Sequence, residues 1–365
     1  MRHFDTTVLV PAAVPPPVHG QSLVTGEVVA RLKATGACRV ILADTSPGGL
    51  KRNLGYHALR ALRIARAALA ALQGATSIRR RAYTTMDAGL GLVYNFALVA
   101  WLRLLGYEIF VHHHTAAYLR ERKATVAGFV KLAGRNCVHI ALSDAMAADF
   151  KRLYPDAGTV RVGHNACHVI VPDQPPQVRP TPVAVGLLSN LAAEKGLDLA
   201  IDTCAAARRA GLAVRLVLAG PAVGTEAEDS IRQAKAVLGD ALDYRGAVAG
   251  EAKRRFFEDI DVFLFPTLYR NEAQPLVVLE AMSFGRPVIV NDRGYTRELV
   301  GECGVVVGPD ENYSQIAVST LRAWTEDPAA FAAAARRSRE RFAELRELAA
   351  KQLDEMIVAL SGADG

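Results

Sequence analysis

Two glutamates, Glu272 and Glu280, stand eight positions apart in the stretch NEAQPLVVLEAMSFGRPVIV. Pro275 lies between them, and the turn Gly285-Arg286-Pro287 leads into the apolar run Val288-Ile289-Val290. Proline suits the first turn of a helix, where a backbone N–H would have no partner in any case. A helix starting near Pro275 aims unpaired amides, and the positive end of its dipole, at whatever lies before it. Such a tip is a natural diphosphate site. Glu272, in the preceding loop, then sits beyond the phosphates. Glu280, about one and a half turns into the helix, can accept hydrogen bonds from hydroxyls on the other side. Sugar hydroxyls, diphosphate and ribose hydroxyls follow in that order in a nucleotide sugar. Taken alone, two acids at this spacing are equally well explained as solvated surface groups.

The elements that must hold these residues are legible as a rhythm. Apolar runs alternate with Ala- and Leu-rich helical stretches: TTVLVPAA, CRVILAD, YEIFVHHH, VHIALS and TVRVGHN in the first half, then TPVAVGLLS, VRLVLAG, DVFLFP, RPVIVN and CGVVVG. Near-continuously apolar strands separated by helices predict parallel sheets covered on both faces. The chain of 365 residues is too long for one ordinary core. The proline-rich segment VPDQPPQVRPTP, residues 171–182, cannot continue a helix or a central strand and reads as a linker. The expected fold class is therefore α/β, with two doubly wound Rossmann-like domains facing a cleft in which ligands gather at the strands' carboxyl ends. Residues 1–175 form the first domain, 176–345 the second, and 346–365 a C-terminal helix that can pack back on the first. The tail from about Asp327 to Leu360 has the period of one or two long surface helices.

The stretch around the two acids resembles the E-x7-E motif of retaining glycosyltransferases of the GT-B fold, in particular glycosyltransferase family four. The likeness runs through VFLFPTLYRNEAQPLVVLEAMSFGRPVI and NDRGYTRELV, and extends to EKGLDLAI, VRLVLAGP and the early PPPVHGQS. It implies a sugar transfer from a nucleotide diphosphate sugar to an acceptor hydroxyl, with retention of configuration, in polysaccharide or glycolipid assembly. The alternatives are a catalytically silent GT-B scaffold serving as a partner subunit, or a nucleotide-sugar-processing enzyme of similar architecture such as an epimerase or a phosphorylase. By this resemblance Glu272 contacts hydroxyls of the transferred sugar and Glu280 holds the ribose. Backbone amides around Ala273, Gln274, Pro275 and Leu276 meet the diphosphate, and Lys195 neutralises it as it leaves. His114 matches a histidine near the sugar, and Gly20 a glycine whose loop lets the backbone approach the donor. Asn165 closes the first domain and shapes the cleft. Two departures stand out. Asn190 occupies the place of an arginine that often clamps the phosphate, leaving Arg270 or Arg293 as substitutes. EAQP also replaces the glycine-rich EGFG of many relatives.

Other function classes are narrowed by composition. The first 178 residues carry 21 Lys and Arg against 10 Asp and Glu, a net +11, and the remainder is −5. Such asymmetry points the first half toward something anionic, a lipid-linked acceptor or a membrane surface. On a helical wheel Leu50, Leu54, Ala61, Ile64, Ala68 and Leu72 line one side of residues 50–72, and Arg52, Arg60, Arg63 and Arg66 another. Arg79-Arg80-Arg81 add to the same basic surface, whose plain reading is a solvated helix face packed on the sheet and whose sharper reading is contact with a membrane surface or an anionic acceptor. Aromatics are few, 7%, and are not interleaved with basic clusters, so nucleic acid is not an expected partner. The five cysteines form no C-x-x-C pair, which suggests neither zinc nor a disulfide framework. His112, His113 and His114 alternate across a strand and cannot converge on one ion. The Asp259 and Asp261 pair reads as capping or solvated surface, and no metal or other cofactor is expected. Lacking a leader-like start or an apolar run of eighteen residues, the chain is expected in the cytoplasm, with peripheral attachment at the inner membrane face as an extension.

Overall fold

A computed structural model of the chain describes residues 4–16, 20–46, 54–174 and 176–363. They fall into two compact units, Met1–His168 with Glu347–Gly365, and Val169–Arg346. Pro17, Val18 and His19 of PPPVHGQS, together with Leu50, Arg52 and Pro175, lie outside the described residues.

The first unit is built on β1 (Thr6–Val10), β2 (Arg39–Leu42), β3 (Arg79–Thr85), β4 (Glu108–His112), β5 (Val138–Ala141) and β6 (Thr159–Val162). All neighbours are parallel, in the order β2-β1-β3-β4-β5-β6. Helices α1 (Gly20–Thr35), α2 (Leu54–Leu72), α3 (Leu92–Leu104), α4 (Ala124–Ala133) and α5 (Asp144–Leu153) connect the strands. Val8, Leu9 and Val10 are wholly buried, as a parallel strand covered on both faces requires. Each such side chain contributes about 1.5–3 kcal/mol of burial.

The second unit repeats the theme with β7 (Ala184–Leu188), β8 (Arg215–Ala219), β9 (Leu242–Tyr244), β10 (Val262–Phe265), β11 (Val288–Asn291) and β12 (Val305–Val307). Its order is β12-β11-β10-β7-β8-β9, again all parallel. Its helices are α6 (Leu197–Arg209), α7 (Gly224–Leu238), α8 (Gly250–Asp259), α9 (Leu276–Ser283), α10 (Thr296–Val300) and α11 (Tyr313–Glu326), followed by α12 (Pro328–Ser361). Counted from β7, this is the dinucleotide-fold order, which reverses direction between its first and fourth strands. The reversal falls between β7 and β10. Leu353, Met356, Ile357 and Leu360, late in α12, pack into the first unit's core with Val8, Tyr83 and Phe110.

Three local features differ from the sequence reading. Strand β3 opens with the three arginines taken there as a basic surface: Arg80 donates to the Leu105 carbonyl oxygen at 2.6 Å, and Arg81 pairs with Glu108 at 2.9 Å. Strand β9 has only three residues, too short to leave a period in the sequence. Helix α2 is rotated relative to the expected wheel. Arg60 and Arg63 turn toward the fold and pair with Asp87 and Asp44, while Leu62, Leu69 and Leu72 face outward. The two acids outside the helix, invisible to a helical wheel, set that rotation. No helix among the described residues is long and apolar enough to cross a membrane.

Candidate functional site

The loops that follow β7 and β10 leave the sheet on either side of its reversal, where doubly wound sheets open a crevice. The β7 loop carries a 3-10 turn, Ala193–Lys195, and the β10 loop carries Glu272. They are stitched together by the backbone: Leu268 N–H donates to the Glu194 carbonyl at 2.9 Å. Asn291, at the end of β11, ties in the third loop by donating to the Thr267 carbonyl at 3.3 Å.

Two glycines make this closeness possible. Gly196, φ +80°, lies so near the Pro266 carbonyl that any Cβ would overlap it. Gly294, φ +57°, stands in the same relation to the Glu272 carbonyl. Both positions need the left-handed conformation and an absent side chain together.

Lys195 and Glu272 are in direct contact, Nζ to Oε1. Thr267 donates its hydroxyl to the same carboxylate oxygen at 3.3 Å and accepts from Tyr269 N–H at 3.2 Å. The Lys195 ammonium also sits over the Tyr269 ring, 4.4 Å from its centroid, where the ring's quadrupole attracts it. Glu272 and Gln274 are buried. The segment then passes through Ala273, Gln274 and Pro275 into α9, whose start no side chain caps.

Glu280 occupies the fifth position of α9 and is also buried. Its Oε1 accepts from Lys253 of α8 at 2.5 Å. Its Oε2 is buried with no hydrogen-bond partner among the described residues. Burial pushes the Glu280 carboxyl above the usual carboxylate range, and the Lys253 charge and hydrogen bond pull it back down.

Lys195, Glu272, Ala273, Gln274, Pro275, Leu276 and Glu280 thus all belong to the second unit, and the first two touch. Asn190 follows β7 but is exposed, and no side-chain hydrogen bond joins it to that pair. Arg270 is exposed, and Arg293 donates to its neighbour's carbonyl, Asp292, at 3.2 Å. Gly20 and His114 belong to the first unit, Gly20 at the start of α1 and His114 just beyond β4. Two of the histidines share a strand face: His112 and His114 ring centroids are 4.1 Å apart. His113 points to the other face, with Nδ1 2.8 Å from the Tyr118 hydroxyl and Nε2 3.0 Å from His139 Nδ1. Among the described residues no group of three or more His, Cys, Asp or Glu could hold a metal ion.

Asp261 corrects the sequence reading. It is 1% exposed, accepts from the Val183 and Ala184 amides at 2.9 Å each, and pairs with Arg179 at 2.8 Å. Three donors on its four lone-pair sites explain how a carboxylate can be buried at a strand's start. Asp259 instead pairs with Arg245 at 2.8 Å. Lys253 went unnoticed in the sequence because AKRRFF offers three consecutive cations and no period that singles one out. In the structure Arg254 serves Glu258 and Asp173, Arg255 serves Glu251, and Lys253 alone turns to Glu280.

Comparison with known proteins bears on what this arrangement is for. Residues 179–337 match the family model described as glycosyl transferases group 1. Among curated proteins none matches the chain significantly. Solved structures do. Sucrose-phosphate synthase from Thermosynechococcus elongatus is 18% identical over 98% of this chain and 100% of its own, with a TM-score of 0.71. HepE from Anabaena, in complex with UDP, is 17% identical over 96% of this chain and 100% of its own, TM-score 0.69. A glycosyltransferase from Rickettsia africae is 12% identical over 98% and 99%, TM-score 0.68. At such identities the likeness carries the fold, and the fold is GT-B. With its second unit matching a glycosyl transferases group 1 domain, the chain is a glycosyltransferase enzyme.

Proposed function

We propose that the chain is a retaining glycosyltransferase that moves a sugar from a nucleoside diphosphate sugar to an acceptor hydroxyl. The observation that carries this reading is the Glu280 carboxylate, buried beyond an uncapped helix start with one oxygen still lacking a donor. A buried acceptor left unmade costs about 1–3 kcal/mol, and a ligand hydroxyl removes that cost. The ribose of a nucleotide supplies two adjacent hydroxyls. In this reading the α9 start receives the diphosphate, and the Lys195–Glu272 pair meets the transferred sugar. HepE has been seen with UDP and with UDP-glucose, which favours a uridine diphosphate sugar here.

In this reading Glu272 accepts from the sugar's hydroxyls, and Lys195 and the α9 amides stabilise the charge that builds on the leaving diphosphate. The acceptor hydroxyl attacks from the face the diphosphate leaves, so the departing phosphate oxygen takes its proton and configuration is retained. No side chain has to become a covalent nucleophile, and no metal is needed. In this reading the second unit serves the donor and the first serves the acceptor. Asn190 donates a neutral hydrogen bond where an arginine would add charge. The acceptor is a sugar or lipid-linked molecule in polysaccharide or glycolipid assembly. Outward Leu62, Leu69 and Leu72 of α2, beside exposed Arg66, form an apolar stripe suited to a peripheral membrane contact from the cytoplasmic side.

Glu272→Ala and Lys195→Ala should each lower turnover of the active nucleotide sugar by at least about a hundredfold, the usual scale for losing one charge-stabilising group. Both should retain the wild-type circular dichroism. Near-normal turnover in both variants overturns the assignment. Flotation with anionic liposomes at low salt tests the membrane contact, which fails if the protein stays at the bottom of the gradient.

A further inference from the structure

Glu280 poses a physical problem that the proposed function does not solve. A carboxylate buried this deeply tends to take up a proton, and a protonated acid is a weaker acceptor of hydroxyl hydrogen bonds. β10 and β11, the strands packed against α9, read VFLF and VIVN and bring no ionisable side chain to it. The charge that faces it comes from α8. Lys253 reaches across with its ammonium 2.5 Å from Oε1, and Glu280 is its sole acceptor among the described residues. The flanking Arg254 and Arg255 are committed elsewhere. Phe256 and Phe257, buried three and four residues further along α8, fix the face that Lys253 shares.

We propose that Lys253 is a positioning residue for donor binding: by occupying Oε1 of Glu280 it keeps that side chain ionised and directs its free Oε2 to the donor's vicinal hydroxyls. This rests on the reading of Glu280 as the ribose acceptor. Lys253 itself need not touch the donor. Its effect is to set the charge and rotamer of the group that does. A neutral residue at position 253 leaves Glu280 without the counter-charge that opposes its burial, so its carboxyl rises further and affinity for the nucleotide becomes dependent on pH. An arginine preserves the charge and should preserve affinity.

The test is the dissociation constant, by calorimetry, of whichever of UDP, GDP and ADP the wild-type enzyme binds most tightly, measured from pH 5.5 to 9. Expected for Lys253→Met is a loss of about five- to tenfold relative to wild type at pH 6–7, the difference between charge-assisted and neutral hydrogen bonds. The loss should shrink as pH rises and Glu280 ionises again. Lys253→Arg should stay within about twofold of wild type throughout. Glu280→Gln, run alongside, should bind weakly with no such pH dependence. If Glu280→Gln binds as wild type, or no nucleotide binds, the ribose reading falls and this inference with it. If Glu280→Gln weakens binding but Lys253→Met matches wild type at every pH, or weakens it equally at every pH, Lys253 is only a structural partner and the inference alone is overturned.

Discussion

The first unit should lose stability steeply in mild acid, because it buries histidines that the unfolded chain would protonate. Burial lowers His139 from its ordinary 6.5 to about 4. His168 is likewise lowered to about 4, by burial first and by Arg31 second. Burial also drives His112 and His113 well below the ordinary value, with neighbouring histidines adding to it. A group with a depressed folded pKa costs nothing above the unfolded value, since both states are then neutral. Below about pH 6.5 the unfolded state takes up the proton and the folded state does not, so stability falls with pH until the folded value near 4 is reached. Between pH 7.5 and 5 each of His139 and His168 removes about 2 kcal/mol on this reckoning. Together that is about 4 kcal/mol, and His112 and His113 push the same way. Against a typical 5–15 kcal/mol for a domain, the first unit approaches its limit near pH 5. Trp101 lies in the first unit, where its indole donates to the Ala68 carbonyl at 2.9 Å. Trp324, in the second, lies tilted against Phe331, ring centroids 5.7 Å apart. In a Trp324→Phe variant, urea unfolding followed by fluorescence therefore reports the first unit. Its midpoint should fall progressively from pH 7 to pH 5. A midpoint that stays constant over that range refutes the claim that these rings are buried neutral.

Gly294→Ala should displace the Glu272 backbone, because the new Cβ overlaps that residue's carbonyl. The left-handed backbone adds about 1–2 kcal/mol of strain, and calorimetry should show weaker nucleotide sugar binding with the fold retained. Unchanged affinity would mean that the loop has slack. Arg286→Met should destabilise the second unit by about 2–4 kcal/mol, because its guanidinium donates to the Phe257 and Glu258 carbonyls at 2.8 and 2.9 Å and leaves both unpaired when lost. Urea denaturation in a Trp101→Phe variant reads it out. A shift within about 0.5 kcal/mol would show that water takes over those carbonyls.

The strand–helix rhythm is visible in the sequence because parallel strands buried on both faces need continuous apolar runs, and VLV, VFLF and VIV supply them. β3 escapes because its first three positions lie where the strand enters the sheet. There arginine stems can lie along apolar neighbours while their charges reach Leu105 and Glu108. The outward face of α2 and the burial of Asp261 escape for a related reason: each depends on a charge partner 19 to 82 positions away. Glu272 and Lys195 stand out by type and setting, and they meet in space. Lys253 could not be chosen from among three adjacent cations, since only the direction of α8's apolar face distinguishes it.

Arg286 gives the stretch around the two glutamates a significance beyond ligand contact. It holds the far end of α8 by its last carbonyls, and α8 in turn brings Lys253 to Glu280, so the chain from residue 250 to 291 braces itself. A self-supporting segment of this kind can be transplanted. Moved intact onto another chain's doubly wound sheet, it would carry the Lys253–Glu280 pair along together with its own bracing.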